Sequence, residues 1–153
     1  MMRVGVWVAL ACTLGLSVAG CKPKVAPLVG SWAEVIVVQK GKKDPGIRRE
    51  ISFYRDGTYE DNLFDKSMNW RRTVRGHWAL VEKTLTATPK SVQYLPDSPS
   101  TKAQLIKQLP KIDMSPDVGT VEFTGTDQMR FIPGTPDSKP IQFKRIGAAP
   151  VSN

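Results

Sequence analysis

The sequence predicts an all-β protein, and three observations carry that prediction. Apolar residues alternate with polar ones in short runs, which is the period of half-buried strands and not of helices. The runs are separated by Gly, Pro and Asp, the residues that turns require. Helical spacing of apolar residues is confined to one stretch, at 100–109.

Taken in order, residues 22–27 mix Lys with Pro and read as an irregular tether, so order is expected to begin near Leu28. Strands are then placed at 30–38, 47–54, 58–64, 70–81, 84–88, 91–95, 119–124, 128–132 and 140–146. Between the second and third, Asp56-Gly57 marks a hairpin. A two-residue loop would pair Tyr54 with Tyr59 and set Phe53 against Glu60. A three-residue loop with Gly57 in the left-handed conformation, giving a G1 bulge, pairs Phe53 with Tyr59 and Ser52 with Glu60. The second register is expected, because it sorts apolar from polar side chains across the sheet.

The segment 96–116 interrupts the strands. Within it, 100–109 has good helix formers, a capping serine, Leu105, Ile106 and Leu109 at helical spacing, and Pro110 as a stop. This short helix is expected to pack Leu105 and Leu109 on the outside of the sheet, the alternative being a lid over an open end. Residues 147–153 have nothing to bury and are expected to form a disordered tail.

The N-terminus carries an address. Arg3 supplies a positive start, and the uncharged apolar run 4–18 is too short to anchor stably across a bilayer, so 1–20 reads as an export signal. Its end, Leu16-Ser17-Val18-Ala19-Gly20-Cys21, resembles the lipobox of bacterial lipoproteins. That resemblance implies diacylation of Cys21, cleavage before it, and an exported protein held at a membrane, in the outer membrane or at the cell surface. The alternative is an ordinary secretory cleavage that leaves Cys21 a free thiol. Cleavage before Cys21 would leave 133 of the 153 residues, enough for one compact domain. Cys12 would be lost with the leader, so no thiol pair would remain for a disulfide or a zinc site.

The full chain has 22 Lys and Arg against 14 Asp and Glu, a formal charge of +8. Two local groups stand out. Lys40, Lys42, Lys43, Arg48 and Arg49 surround the Asp44-Pro45-Gly46 turn, and Arg71, Arg72 and Arg75 follow Trp70. Both read as solvated surface, with contact to an anionic envelope surface as the functional alternative. No nucleic acid partner is expected of an exported, lipidated protein, although Trp70 beside Arg71 and Arg72 has the ingredients of a stacking platform.

Four pieces recur in a telling order. Gly30-Ser31-Trp32 opens the first strand, and the Phe53 to Tyr59 hairpin carries Asp56-Gly57. Gly76-His77-Trp78 lies in a later strand, and Phe143-Lys144-Arg145-Ile146 ends the last. Together they resemble the bacterial lipocalin-like domains of the calycin type over residues 28–146. The resemblance implies a small antiparallel up-and-down barrel of about eight strands. It also implies a closed barrel end built from Gly30, Trp32 and Arg145, the guanidinium packing over the indole. The long C-terminal helix of eukaryotic lipocalins is missing.

Candidates for chemistry are few. His77 is the sole histidine and should point outward, since Val74, Trp78 and Leu80 mark the apolar face. A nucleophilic triad would need a supporting elbow motif, and a metal site would need more imidazoles or a carboxylate cluster. Glu60, Asp61 and Asp65 read as solvated surface, and no phosphate-binding loop is present. The chain is therefore expected to be non-enzymatic and to need no metal or cofactor. Alternation gives an inward set of Val35, Val37, Phe53, Tyr59, Trp78, Leu80, Leu85, Val121, Phe123, Phe131 and Phe143. Of these Phe53, Tyr59, Trp78, Phe123, Phe131 and Phe143 are the candidate ligand-binding residues. They suit a small apolar or amphipathic ligand, but they would equally fill a packed barrel that acts as a structural or interaction protein of the envelope.

Overall fold

A computed structural model describes residues 27–148. The export signal, Cys21, the tether before Pro27 and the tail from 149 onward lie outside the described residues. Eight strands close into a barrel in sequence order: β1 (Gly30–Glu34), β2 (Ile47–Phe53), β3 (Thr58–Asp65), β4 (Arg71–Val81), β5 (Thr84–Leu95), β6 (Asp117–Phe123), β7 (Gln128–Pro133) and β8 (Ile141–Gly147). Each is antiparallel to its neighbours, and β8 returns beside β1. One helix, α1 (Pro99–Gln108), lies between β5 and β6. The fold is thus an all-β closed barrel with one short helix.

The first hairpin takes the bulged register. Phe53 pairs with Tyr59 and Ser52 with Glu60, so both aromatic side chains enter the barrel. Gly57 sits at φ +82°, a conformation that costs a side chain about 1–2 kcal/mol, and its N–H closes the turn onto the Tyr54 carbonyl at 3.2 Å.

Two strand expectations need correction. The runs 84–88 and 91–95 form one strand, because Arg75 pairs with Ser91 while Gly76 pairs with Pro89. Lys90 is left over as a bulge, which is how a proline is accommodated inside a paired strand. Conversely, β1 ends at Glu34 instead of 38. After one further bond, Val35 N–H to the Gln142 carbonyl at 2.8 Å, the chain leaves the sheet. The run 35–38 is apolar without alternation, so it never committed one face inward. Val35 and Val37, expected inside, are 44% and 79% exposed.

β4 and β5, with 11 and 12 residues, are the longest strands, and β6 pairs only with the first four residues of β5. The rest of β5 projects past the rim with one edge open, and α1 fills that space. Ser98 caps the helix by accepting the Thr101 N–H at 3.1 Å, Pro99 occupies its first turn, and Leu109 ends it by donating to the Leu105 carbonyl at 2.9 Å. Leu105 and Leu109 are buried, and they border one recess with Val92, Tyr94 and Arg72. Val92 and Tyr94 face Val74 and Arg72 across the ladder, and these belong to the inner face. The helix therefore packs on the inside of the projecting strands, not on the outside as expected.

Candidate functional site

One end of the barrel is shut. Trp32 is completely buried, and its Nε1 donates to the Leu28 carbonyl at 2.8 Å. Arg145 lies over the indole with its guanidinium carbon 4.1 Å from the ring centroid. The same side chain donates to the carbonyls of Pro27 at 2.7 Å, Val29 at 2.9 Å and Thr126 at 3.2 Å. It thereby ties the incoming chain to the 124–127 turn while its flat face covers the indole. Gly30, at φ +146°, lies directly beneath; a Cβ there would run into Arg145 Nη1.

Phe123 and Trp78 complete this floor. Phe123 stands 6.1 Å from Trp32, and Trp78 meets Phe53 edge-on at 5.7 Å while donating Nε1 to the Tyr54 carbonyl at 3.1 Å. Both are packing residues of the closed end and neither lines the cavity above it. Leu80 packs with the same core.

Above the floor is a cavity of about 420 Å³. Phe53, Tyr59, Phe131 and Phe143 line it, with Leu85 and Val121 from the expected inward set. Ile51, Val74, Ala87 and Met129 complete its apolar wall. Gly119 leaves room for the Phe131 ring, which a Cβ at 119 would strike. Toward the mouth the lining turns polar with Arg49, Asp61, Arg72 and Asp117, and the segment 110–117 that follows α1 forms a partial roof.

The charged half of the cavity was absent from the sequence expectation. Arg49 and Arg72 were read as surface, and so was Asp61. The hairpin register places them inside, because Arg49 and Asp61 stand two residues from Ile51 and Tyr59 on the same strand faces. Extending that alternation was the available signal. Arg49 grips Asp61 as a fork, Nε to Oδ1 at 3.0 Å and Nη2 to Oδ2 at 2.8 Å, and its guanidinium carbon lies 5.9 Å from the Phe143 ring centroid. Burial works against the Arg49 charge, but Asp61, with Glu34 and Asp117, outweighs it and raises the guanidinium above the usual arginine range. The Tyr59 hydroxyl is pushed up to about 12, first by burial and then by the Asp61 and Asp117 carboxylates.

The other expected groups are dispersed. Arg48 is clasped by Asp44 at 2.8 Å, and Lys66 reaches the same carboxylate, which together hold the Asp44 carboxyl well below the usual range. Arg75 points outward and pairs with Glu60 at 2.6 Å. Lys40, Lys42 and Lys43 remain exposed at the mouth end. His77 is exposed on the outer face of β4. Among the described residues no group of three or more His, Cys, Asp or Glu could hold a metal ion.

Fold and site together define an eight-stranded up-and-down barrel, closed at one end, with an internal cavity under a partial roof. No protein-family model matches the chain, and no curated protein does. Solved structures similar in fold include the following two. A lipocalin-like protein from Bacteroides uniformis ATCC 8492 shares 14% identity over 79% of this chain and 100% of its own, with a TM-score of 0.49. An uncharacterized protein from Bacteroides eggerthii DSM 20697 shares 17% identity over 78% of this chain and 99% of its own, with a TM-score of 0.45.

Proposed function

We propose that this protein is a non-enzymatic, lipocalin-like binding module, exported and lipid-anchored through Cys21, whose barrel takes one small apolar or amphipathic molecule. The cavity carries this reading. At about 420 Å³, with an apolar wall and a few polar groups at the mouth, it falls in the range of small-molecule pockets, where a packed structural barrel would have filled the space with side chains. Apolar burial drives binding, and the polar mouth orients the ligand.

A titration with the neutral fluorescent probe N-phenylnaphthylamine tests it. Emission should rise saturably, and Ala87→Phe, which puts a ring into the cavity, should abolish the rise while leaving the fold intact by circular dichroism. A saturable signal unaffected by Ala87→Phe, or none, overturns the reading.

The anchor rests on the lipobox. Cys21→Ser should stop incorporation of radiolabelled palmitate in cells, and equal labelling of the variant would refute lipidation. On an anchored protein, the exposed Lys40, Lys42 and Lys43 beside the exposed Val35, Val37 and Val38 favour contact with an anionic envelope surface at the mouth end. Each basic residue there contributes about 1 kcal/mol.

A further inference from the structure

We infer that the ligand is an amphiphile with a single anionic headgroup, its tail against the apolar wall of the cavity and its headgroup at Arg72. This rests on the binding reading above and specifies its ligand. Arg72 enters from β4 and lines both the main cavity and the recess of about 240 Å³ beneath α1. Its Nη1 donates to the Pro110 carbonyl at 2.9 Å. Its Nε is buried and has no hydrogen-bond partner. Among the described residues no carboxylate forms an ion pair with it.

The contrast with Arg49 is instructive, since that guanidinium enters the same cavity and is fully engaged by Asp61. Burial lowers the Arg72 guanidinium below the usual arginine range; the Asp61 field opposes this and Arg49 adds to it. Arginine nonetheless stays charged at neutral pH, so a half-buried cation that lines the cavity without an ion pair is stabilised by an anion brought to its cavity side. Lys111, exposed on the roof, lines the same two spaces, and its charge acts on the neighbouring Asp113.

No acid of the mouth pairs with Arg72, although the Asp61 field reaches it. Asp61 is held by Arg49, and Asp113 accepts the Ser115 N–H at 2.9 Å in its own turn. Asp117 and Glu34 act on Arg49, and Asp117 also on Tyr59, but neither is among the groups that perturb Arg72. A neutral headgroup would leave the guanidinium charge without a counter-ion, and a cationic one would meet like charge.

Calorimetric titration of the purified chain with dodecanoate, dodecanol and dodecyltrimethylammonium, each below its micelle concentration, tests the inference. A charge-assisted pair should make dodecanoate bind about tenfold tighter than dodecanol or better, with the ammonium weakest. Arg72→Gln should bring dodecanoate to within about twofold of dodecanol on the same variant, and Arg72→Lys should keep part of the advantage; an advantage of about tenfold kept by Arg72→Gln overturns the assignment to Arg72. Dodecanoate no tighter than dodecanol, or the ammonium tightest, overturns the headgroup assignment and leaves the binding reading standing. No binding by any of the three overturns both. If Arg72→Gln fails to fold, the order of the three headgroups on the wild-type chain decides alone.

Discussion

At the scale of single residues, the closed end rests on Trp32 and Arg145, and the two contribute differently. Trp32 is completely buried, so Trp32→Ala removes a large apolar contact and opens a void, costing about 3–5 kcal/mol. Arg145→Ala removes the stacked guanidinium and its bonds to partly exposed carbonyls, which should cost about 1–3 kcal/mol. Urea midpoints measure both, and equal midpoints for Trp32→Ala and wild type would contradict the burial. This constellation was legible because G-x-W and a basic residue near the end of the last strand are identities that sequence displays directly. Arg49, Asp61 and Arg72 were not read correctly, because residue type was allowed to outweigh register. Charged side chains are mostly exposed, and the inward set drawn from alternation held apolar residues alone. The cavity mouth is where that habit fails, since a partly solvated interior tolerates a paired or half-buried charge.

At the scale of elements, the strands were legible wherever apolar and polar residues alternate, and misread where they do not. The run 35–38 has β-branched residues but no preferred face, and its pairing stops although β2 and β8 both continue past Glu34. Pro89-Lys90 looked like a break and is a bulge, because one unmatched residue lets the ladder resume in phase. Helix α1 was legible from its capping serine, its spacing and Pro110, but its side of the sheet was not, since that depends on how far β4 and β5 outrun their neighbours. The inward docking has a consequence for stability. Leu105 is 3% exposed and Ile106 is 56% exposed on the same helix. Leu105→Ala should cost about 2–3 kcal/mol and Ile106→Ala less than about 0.5 kcal/mol. Thermal or urea unfolding compares the two, and equal effects would mean that the helix is a loose connection without a packed face.

At the scale of the molecule, the barrel closes the sheet on itself, and this removes the open edges that an exposed sheet of eight strands would offer to other chains, save along the projecting part of β5 where α1 lies. Closure also separates the two ends. One is sealed by Trp32, Phe123 and Trp78, and the other gathers the roof, the cavity mouth and the exposed Lys40 to Lys43 turn. Alternation implied strands and the resemblance carried by the four ordered motifs implied the barrel, whereas the difference between a filled and a hollow interior is a matter of volume that composition does not encode. The hollow interior is the central claim, and methyl chemical shifts during a titration with dodecanol test it most directly. Ile51, Leu85, Val121 and Met129, which line the cavity, should shift together and saturably, while Val81 and Ile146, exposed away from the mouth, stay fixed. Shifts confined to exposed methyls such as those of Val35, Val37 and Met68, with the cavity methyls unmoved, would contradict it.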